Sequence, residues 1–133
     1  MGNDKELNSD LSARETDVKK LDVIRAYWAA ESAKDFKKMM TYFTDDIVIK
    51  TLTSTFTGNN NILKFYDDFV KTYSETSITI INSIEEKDQI AVEWTGRYVR
   101  KTGEKKLPKG CHVFAFMNDK ICKIHGYFNP NDF

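Results

Sequence analysis

Val18, Leu21, Ile24 and Trp28 recur at helical spacing, with Tyr27 beside them, and predict an amphipathic helix starting at about Thr16 or Asp17. Thr16 is placed to cap it, and Asp17 suits the positive end of its dipole. AKDF then turns the chain into a short second helix over residues 36–43. At TDDIVIKTLTSTFTG the period changes, and Ile47, Val48, Ile49, Leu52 and Phe56 among threonines predict strand. Gly58 and the run Asn59-Asn60-Asn61 break that strand and cap a third helix. Its stripe is Ile62, Phe65, Tyr66, Phe69, Val70 and Tyr73. Beyond it the pattern is β. A strand over 77–84 leads through the charged turn Glu85-Glu86-Lys87-Asp88 into a long strand over 89–100, and after the polar loop KTGEKKLPKG come strands over 111–117 and 121–128. Residues 1–16 are polar and aperiodic and are expected to form a loose arm before one domain spanning 17–133. Helices on one side of an antiparallel sheet make this an α+β layout.

The last strand pair, GCHVFAFMNDKICKIHGYF, is apolar on both of its faces. His112, Phe114 and Phe116 share one face, and Cys111, Val113, Ala115 and Met117 the other. A sheet with one wet face alternates apolar with polar, so both faces here need cover. Helices supply one cover, and a second copy of the chain is the economical other, as a homodimer through the outer sheet face. A two-residue turn at Asn118-Asp119 would pair His112 with His125 and Phe114 with Lys123. A three-residue turn, Asn118-Asp119-Lys120, would pair His112 with Gly126, Phe114 with Ile124 and Phe116 with Cys122. Opposed residues share a face, and the second register keeps Lys123 off the Phe face, so it is the one expected. It puts His125 on the outer face and removes a two-histidine metal site.

Composition narrows the classes of function. The chain has 133 residues, 41% of them hydrophobic, which suits one globular domain with a real core. Lys+Arg and Asp+Glu are both 20, so no excess of cations exists for nucleic acid or an anionic membrane. No apolar run is long enough to span a membrane, and no secretory signal is read at the start. Cys111 and Cys122 read as buried free thiols of a cytoplasmic protein rather than a disulfide or a zinc site. No phosphate loop, metal-ligand cluster or nucleophile elbow is visible, and no cofactor is expected.

The segments VIRAYWAAESAKDFKKMMTYFTDDIVI and HVFAFMNDKICKIHGYF resemble the SnoaL-like, or nuclear transport factor 2-like, superfamily over about residues 17–128. That group includes ketosteroid isomerases, limonene epoxide hydrolases and scytalone dehydratases. The resemblance implies a cone-shaped curved antiparallel sheet wrapped around a long N-terminal helix, a pocket for a small apolar molecule, and a dimer through the opposite sheet face. It places Tyr27 where the isomerases carry an oxyanion donor. It places Thr51 at their general-base aspartate, and His112 at their protonated aspartate and on the strand of the dehydratases' catalytic histidine. The epoxide hydrolase triad falls on Glu93, Thr95 and Gly126 and is lost. The SnoaL-like cyclase aspartate also falls near Gly126.

For AVEWTGRYV the resemblance turns Glu93, Thr95 and Arg97 into the pocket and Trp94 and Tyr98 outward, while hydrophobicity alone would do the reverse. The resemblance is followed here. The expected catalytic set is then His112 as acid and base, Tyr27 as oxyanion donor, and Glu93 orienting the imidazole or acting as base. The expected ligand-binding set is Thr51, Thr95, Arg97, Trp28, Phe114, Ile124 and Phe128. Asp45-Asp46 resembles a paired-carboxylate site but sits where a solvated turn is expected. The function these residues suggest is a cofactor-free lyase or isomerase acting on a small carbonyl compound. The alternatives are a non-catalytic small-molecule-binding or scaffold protein, and a protein-interaction module.

Overall fold

The computed structural model describes residues 19–133. The expected arm, Thr16, Asp17 and Val18 lie outside the described residues. Helix α1 (Lys20–Ser32) buries Val23, Ile24, Tyr27, Trp28, Ala30 and Glu31. Lys34, at φ 60°, reverses the chain. The Asp35 side chain accepts a hydrogen bond from the Lys38 backbone at 3.2 Å and caps α2 (Phe36–Met40). α2 is shorter than expected, because Phe43 already belongs to β1 (Phe43–Lys50). Strand β2 (Thr55–Thr57), helix α3 (Asn59–Thr72) and strand β3 (Tyr73–Glu86) follow. Then come β4 (Gln89–Arg100), the short β5 (Lys105–Lys106), β6 (Lys109–Met117) and β7 (Lys120–Phe128). A 3₁₀ turn over Pro130–Asp132 ends the chain described.

The strands run in the order β2-β1-β7-β6-β4-β3, with β5 on β4. The sheet is mixed, which corrects the wholly antiparallel expectation: β1 lies parallel to β7. Parallel neighbours need a long crossover, and α3 with the β3–β6 meander supplies it. Register shifts interrupt β1, β3 and β7. Such bulges bend a strand and raise its twist, and here they curve an open sheet around α1. Asp45 and Asp46 are exposed where the β1–β7 pairing lapses between Phe43 and Val48.

The terminal hairpin combines both registers considered above. Its turn has two residues, Asn118-Asp119, with Asn118 at φ 57°. A bulge beside Cys122 then restores the offset, so His112 faces Gly126 and Phe114 faces Ile124, while Phe116 pairs with Ile121 rather than Cys122. His125 stands on the outer face, opposite Val113.

On the concave face, Ile90, Val92, Trp94 and Tyr98 of β4 join Phe114, Phe116, Ile121 and Ile124 in the buried set. Glu93, Thr95 and Arg97 are exposed on the convex face, where Arg97 Nη1 donates to Glu75 Oε2 at 3.1 Å. This reverses the orientation taken from the resemblance. The physical reason is simple: two indole- and phenol-sized side chains gain more from burial than a glutamate, a threonine and an arginine, whose charges would need partners. Cys111 and Cys122 are free and half-buried rather than buried.

Candidate active site

α1 carries Ile24, Tyr27, Trp28 and Glu31 on one buried stripe, three or four residues apart. α3 closes over one end of α1 with Phe65, Tyr66 and Phe69. The sheet supplies Ile78, Trp94, Tyr98, His112 and Phe128. Between them is a cavity of about 330 Å³. Trp28, Glu31, Tyr66, Trp94, Tyr98 and His112 all reach its wall. Thr51, Thr53 and Ser54 of the β1–β2 loop line the side that meets solvent. Pro130 and Phe133 complete the wall. Arg100 Nη2 donates to the Phe133 carbonyl at 2.6 Å and holds that ring 5.0 Å from both Tyr98 and Phe128.

His112 is half-buried among aromatic rings, with Trp28 at 5.7 Å and Phe128 stacked at 6.0 Å. Trp94 Nε1 donates to His112 Nδ1 at 2.8 Å. An indole can only donate, so Nδ1 is an acceptor and the neutral ring carries its proton on Nε2. Burial, with a smaller repulsion from His125, pushes the imidazole down to about 4. At neutral pH it is therefore uncharged, with its basic nitrogen already occupied. Gly126 opposite is needed for space: a Cβ there would lie 3.0 Å from His112 Nε2. An aspartate at 126 and this imidazole cannot share that spot.

Glu31 was not foreseen, and it is the one buried carboxyl in the described residues. Burial raises its pKa to about 7, while hydrogen bonding to Tyr27 and Tyr66 pulls the other way. The hydroxyls of Tyr27 and Tyr66 are 2.8 Å apart. Burial and the nearby Glu31 carboxyl raise both phenols well above their ordinary range. The signal was present in the sequence. Glu31 lies four residues past Tyr27 and seven past Ile24, so a charged residue sits on the apolar stripe of the first helix.

The expected residues divide. His112, Trp28, Phe128 and Thr51 line the cavity. Thr51 Oγ1 is engaged, accepting from the backbone of Ser54 at 3.1 Å and of Thr53 at 3.3 Å, and so shapes the β1–β2 turn. Tyr27 lies behind the wall and meets it through Tyr66. Phe114 and Ile124 are packed in the core and do not reach the cavity, because their β6 and β7 positions lie under α1. Glu93, Thr95 and Arg97 are on the far face of the sheet and cannot act in it. Among the described residues no group of His, Cys, Asp and Glu side chains gathers in a metal-holding cluster. No helix among them is long and apolar enough to cross a membrane.

A curved sheet that wraps one helix and keeps a ligand-sized hollow defines an α+β cone of the nuclear transport factor 2-like type. The SnoaL-like domain model matches residues 24–124, and the chain belongs to that family. Solved structures agree on the fold. A Mycobacterium tuberculosis protein in complex with estradiol-17beta-hemisuccinate is 18% identical, with 85% of this chain and 95% of that one covered and a TM-score of 0.75. A Catenulispora acidiphila protein of ketosteroid isomerase-like fold, in complex with trimethylamine, is 15% identical, with 83% and 87% covered and a TM-score of 0.75. An LEH-like epoxide hydrolase of M. tuberculosis is 17% identical, with 83% and 82% covered and a TM-score of 0.71. No curated protein matches the sequence.

Proposed function

We propose that the protein is a cofactor-free isomerase or lyase that moves a proton on a small carbonyl compound held in this cavity, with Glu31 as the acid and base. The observation that carries the reading is a buried carboxyl with a pKa of about 7 on the wall of an apolar hollow. A proton carrier works best when its pKa lies near the operating pH. The Glu31 carboxylate takes the proton from carbon next to the carbonyl. As Glu31 takes up that proton, the Tyr66 hydroxyl turns from the carboxyl to donate to the oxygen that gains charge, and Tyr27 donates to Tyr66 from behind. Glu31 then returns the proton to another carbon of the substrate. His112 is assigned a wall role, as a neutral ring fixed by Trp94. Bound organic molecules in two structures of similar fold support a ligand role for the hollow.

A panel of enolisable cyclic ketones in deuterated water tests this. Wild type should exchange α-hydrogen for deuterium on at least one member, and Glu31→Gln should lose about 100-fold or more of that rate. Equal rates in the two proteins would sink the assignment. A non-catalytic binder is the second reading. It is favoured by Thr51 and Gly126, which carry no acid where relatives' aspartates align. Ligand binding without exchange on any ketone would select it.

The outer sheet face is proposed as a homodimer contact. Ile84, Met117 and Tyr127 are exposed there, around half-buried Val113 and Ala115. Light scattering should give twice the monomer mass, and Val113→Glu should halve it. The free thiols favour a reducing compartment such as the cytoplasm.

A further inference from the structure

We propose that the ligand of this cavity carries a positive charge: a small tertiary or quaternary ammonium group lodged among the aromatic rings, with Glu31 balancing it. The chemistry of the wall selects the sign. No lysine or arginine is among the described residues that line the hollow, and Glu31 is its carboxyl. An anion brought into such a space would meet one like charge and no counter-charge on the wall itself, Arg100 standing behind Tyr73 and Phe133. Among the described residues, Glu31 has no cationic partner in any ion pair. A buried carboxylate without a partner is costly, and a guest cation supplies that partner.

The rings supply the second half of the site. Trp28, Trp94 and Tyr98 reach the cavity, as does Tyr73, whose ring already carries Arg100 at 5.9 Å. Indole and phenol faces attract a cation through the ring quadrupole, tryptophan most strongly. Tyr73 and Tyr98 stand 87° apart in plane, and Phe69 and Tyr98 88°. The volume of about 330 Å³ equals roughly ten water molecules, room for an alkylated nitrogen and a short chain.

The inference rests on Glu31 being the working group of the site, as proposed above, and adds the charge of the substrate. A bound cation holds Glu31 ionised, which is the form that removes a proton. The titratable groups facing Glu31 are Tyr27 of its own helix, Tyr66 of α3 and Tyr98 of β4, with Tyr73 and His112 elsewhere on the cavity wall. All four phenols are raised by burial and His112 is lowered, so none of them changes charge between pH 5.5 and 8.

Choline and its neutral isostere 3,3-dimethylbutan-1-ol test the idea by calorimetry and by tryptophan fluorescence. Choline should bind at least 10-fold tighter at pH 8. The preference should shrink at pH 5.5, where Glu31 holds a proton. It should vanish in Glu31→Gln, whose retained binding of the alcohol shows an intact cavity. Trp28→Leu should weaken choline more than the alcohol. Equal affinities at pH 8, binding of neither probe, or a choline preference unchanged in Glu31→Gln would each overturn the inference. The ketone exchange assay reads separately. Exchange without a choline preference removes the charged ligand alone, and a choline preference without exchange removes the proton transfer alone.

Discussion

Glu31 and His112 line one cavity, the first from α1 and buried, the second from β6 and half-buried. Burial acts on them in the same sense, by disfavouring the charged form. The outcomes are opposite. For a base, staying neutral means a pKa pushed down, away from physiological pH, to about 4. For an acid, staying neutral means a pKa pushed up, toward physiological pH, to about 7. The same dry surroundings therefore silence the imidazole and poise the carboxyl. Hydrogen bonds from Tyr27 and Tyr66 draw Glu31 part of the way back, and hydrogen bonding also decides which group stays available. Trp94 occupies the one basic nitrogen of His112, whereas the phenols beside Glu31 leave the carboxyl facing the hollow.

The largest effect that separates them is on stability. Between about pH 4.5 and 7 the folded chain holds a proton on Glu31 that the unfolded chain has released, so this group lowers stability as pH rises. Between about pH 4 and 6.5 the unfolded chain holds a proton on His112 that the folded chain lacks, so this group raises stability as pH rises. The two slopes oppose each other. Glu31→Gln removes the falling one, and its stability relative to wild type should improve by about 3 kcal/mol from pH 4 to pH 8 in urea melts. Parallel curves for the two proteins would break the contrast at its root.

His112→Leu comes next. It removes the rising slope and leaves the Trp94 indole N–H without its acceptor, at a cost of about 1–3 kcal/mol at pH 7. Deuterium exchange should change by only a few-fold. A loss as deep as that of Glu31→Gln, in a variant that still binds ligand, would return the base to His112. Tyr66→Phe is milder. It deletes a hydrogen bond that favours the ionised Glu31, worth about 1 kcal/mol, and should move the carboxyl upward in a carbon-13 NMR titration. A downward move would show that Tyr66 opposes the charge. Glu93→Gln should be smallest, within about 0.5 kcal/mol and without effect on exchange. A strong effect on exchange would mean that the β4 faces are exchanged in solution.

The order of the longer helices and strands was legible from period, because a 3.6-residue stripe and a 2-residue alternation look different in any context. The one strand expected through Phe56 is instead two, β1 and β2, parted at residues 51–54, and β5 lies in the expected loop. So was the pairing of His112 with Gly126, since one register alone kept Lys123 off the aromatic face. Two features were not legible. Which face of β4 turns inward depends on what covers each side: the alternation of large residues with charged ones points the way the strand packs, and the family resemblance points the other way. Glu31 was equally visible as a residue and invisible as a site. A glutamate on a helix is usually solvated, and only the closure of α3 and β4 over α1 takes water from it.

By itself the chain determined most of its elements, its α+β class and the inward side of His112, because local pattern and apolar content act before any partner is in place. Tertiary structure alone decided which titratable group is poised. The pKa of a side chain follows from what surrounds it in space, and the groups around Glu31 come from three elements far apart in sequence.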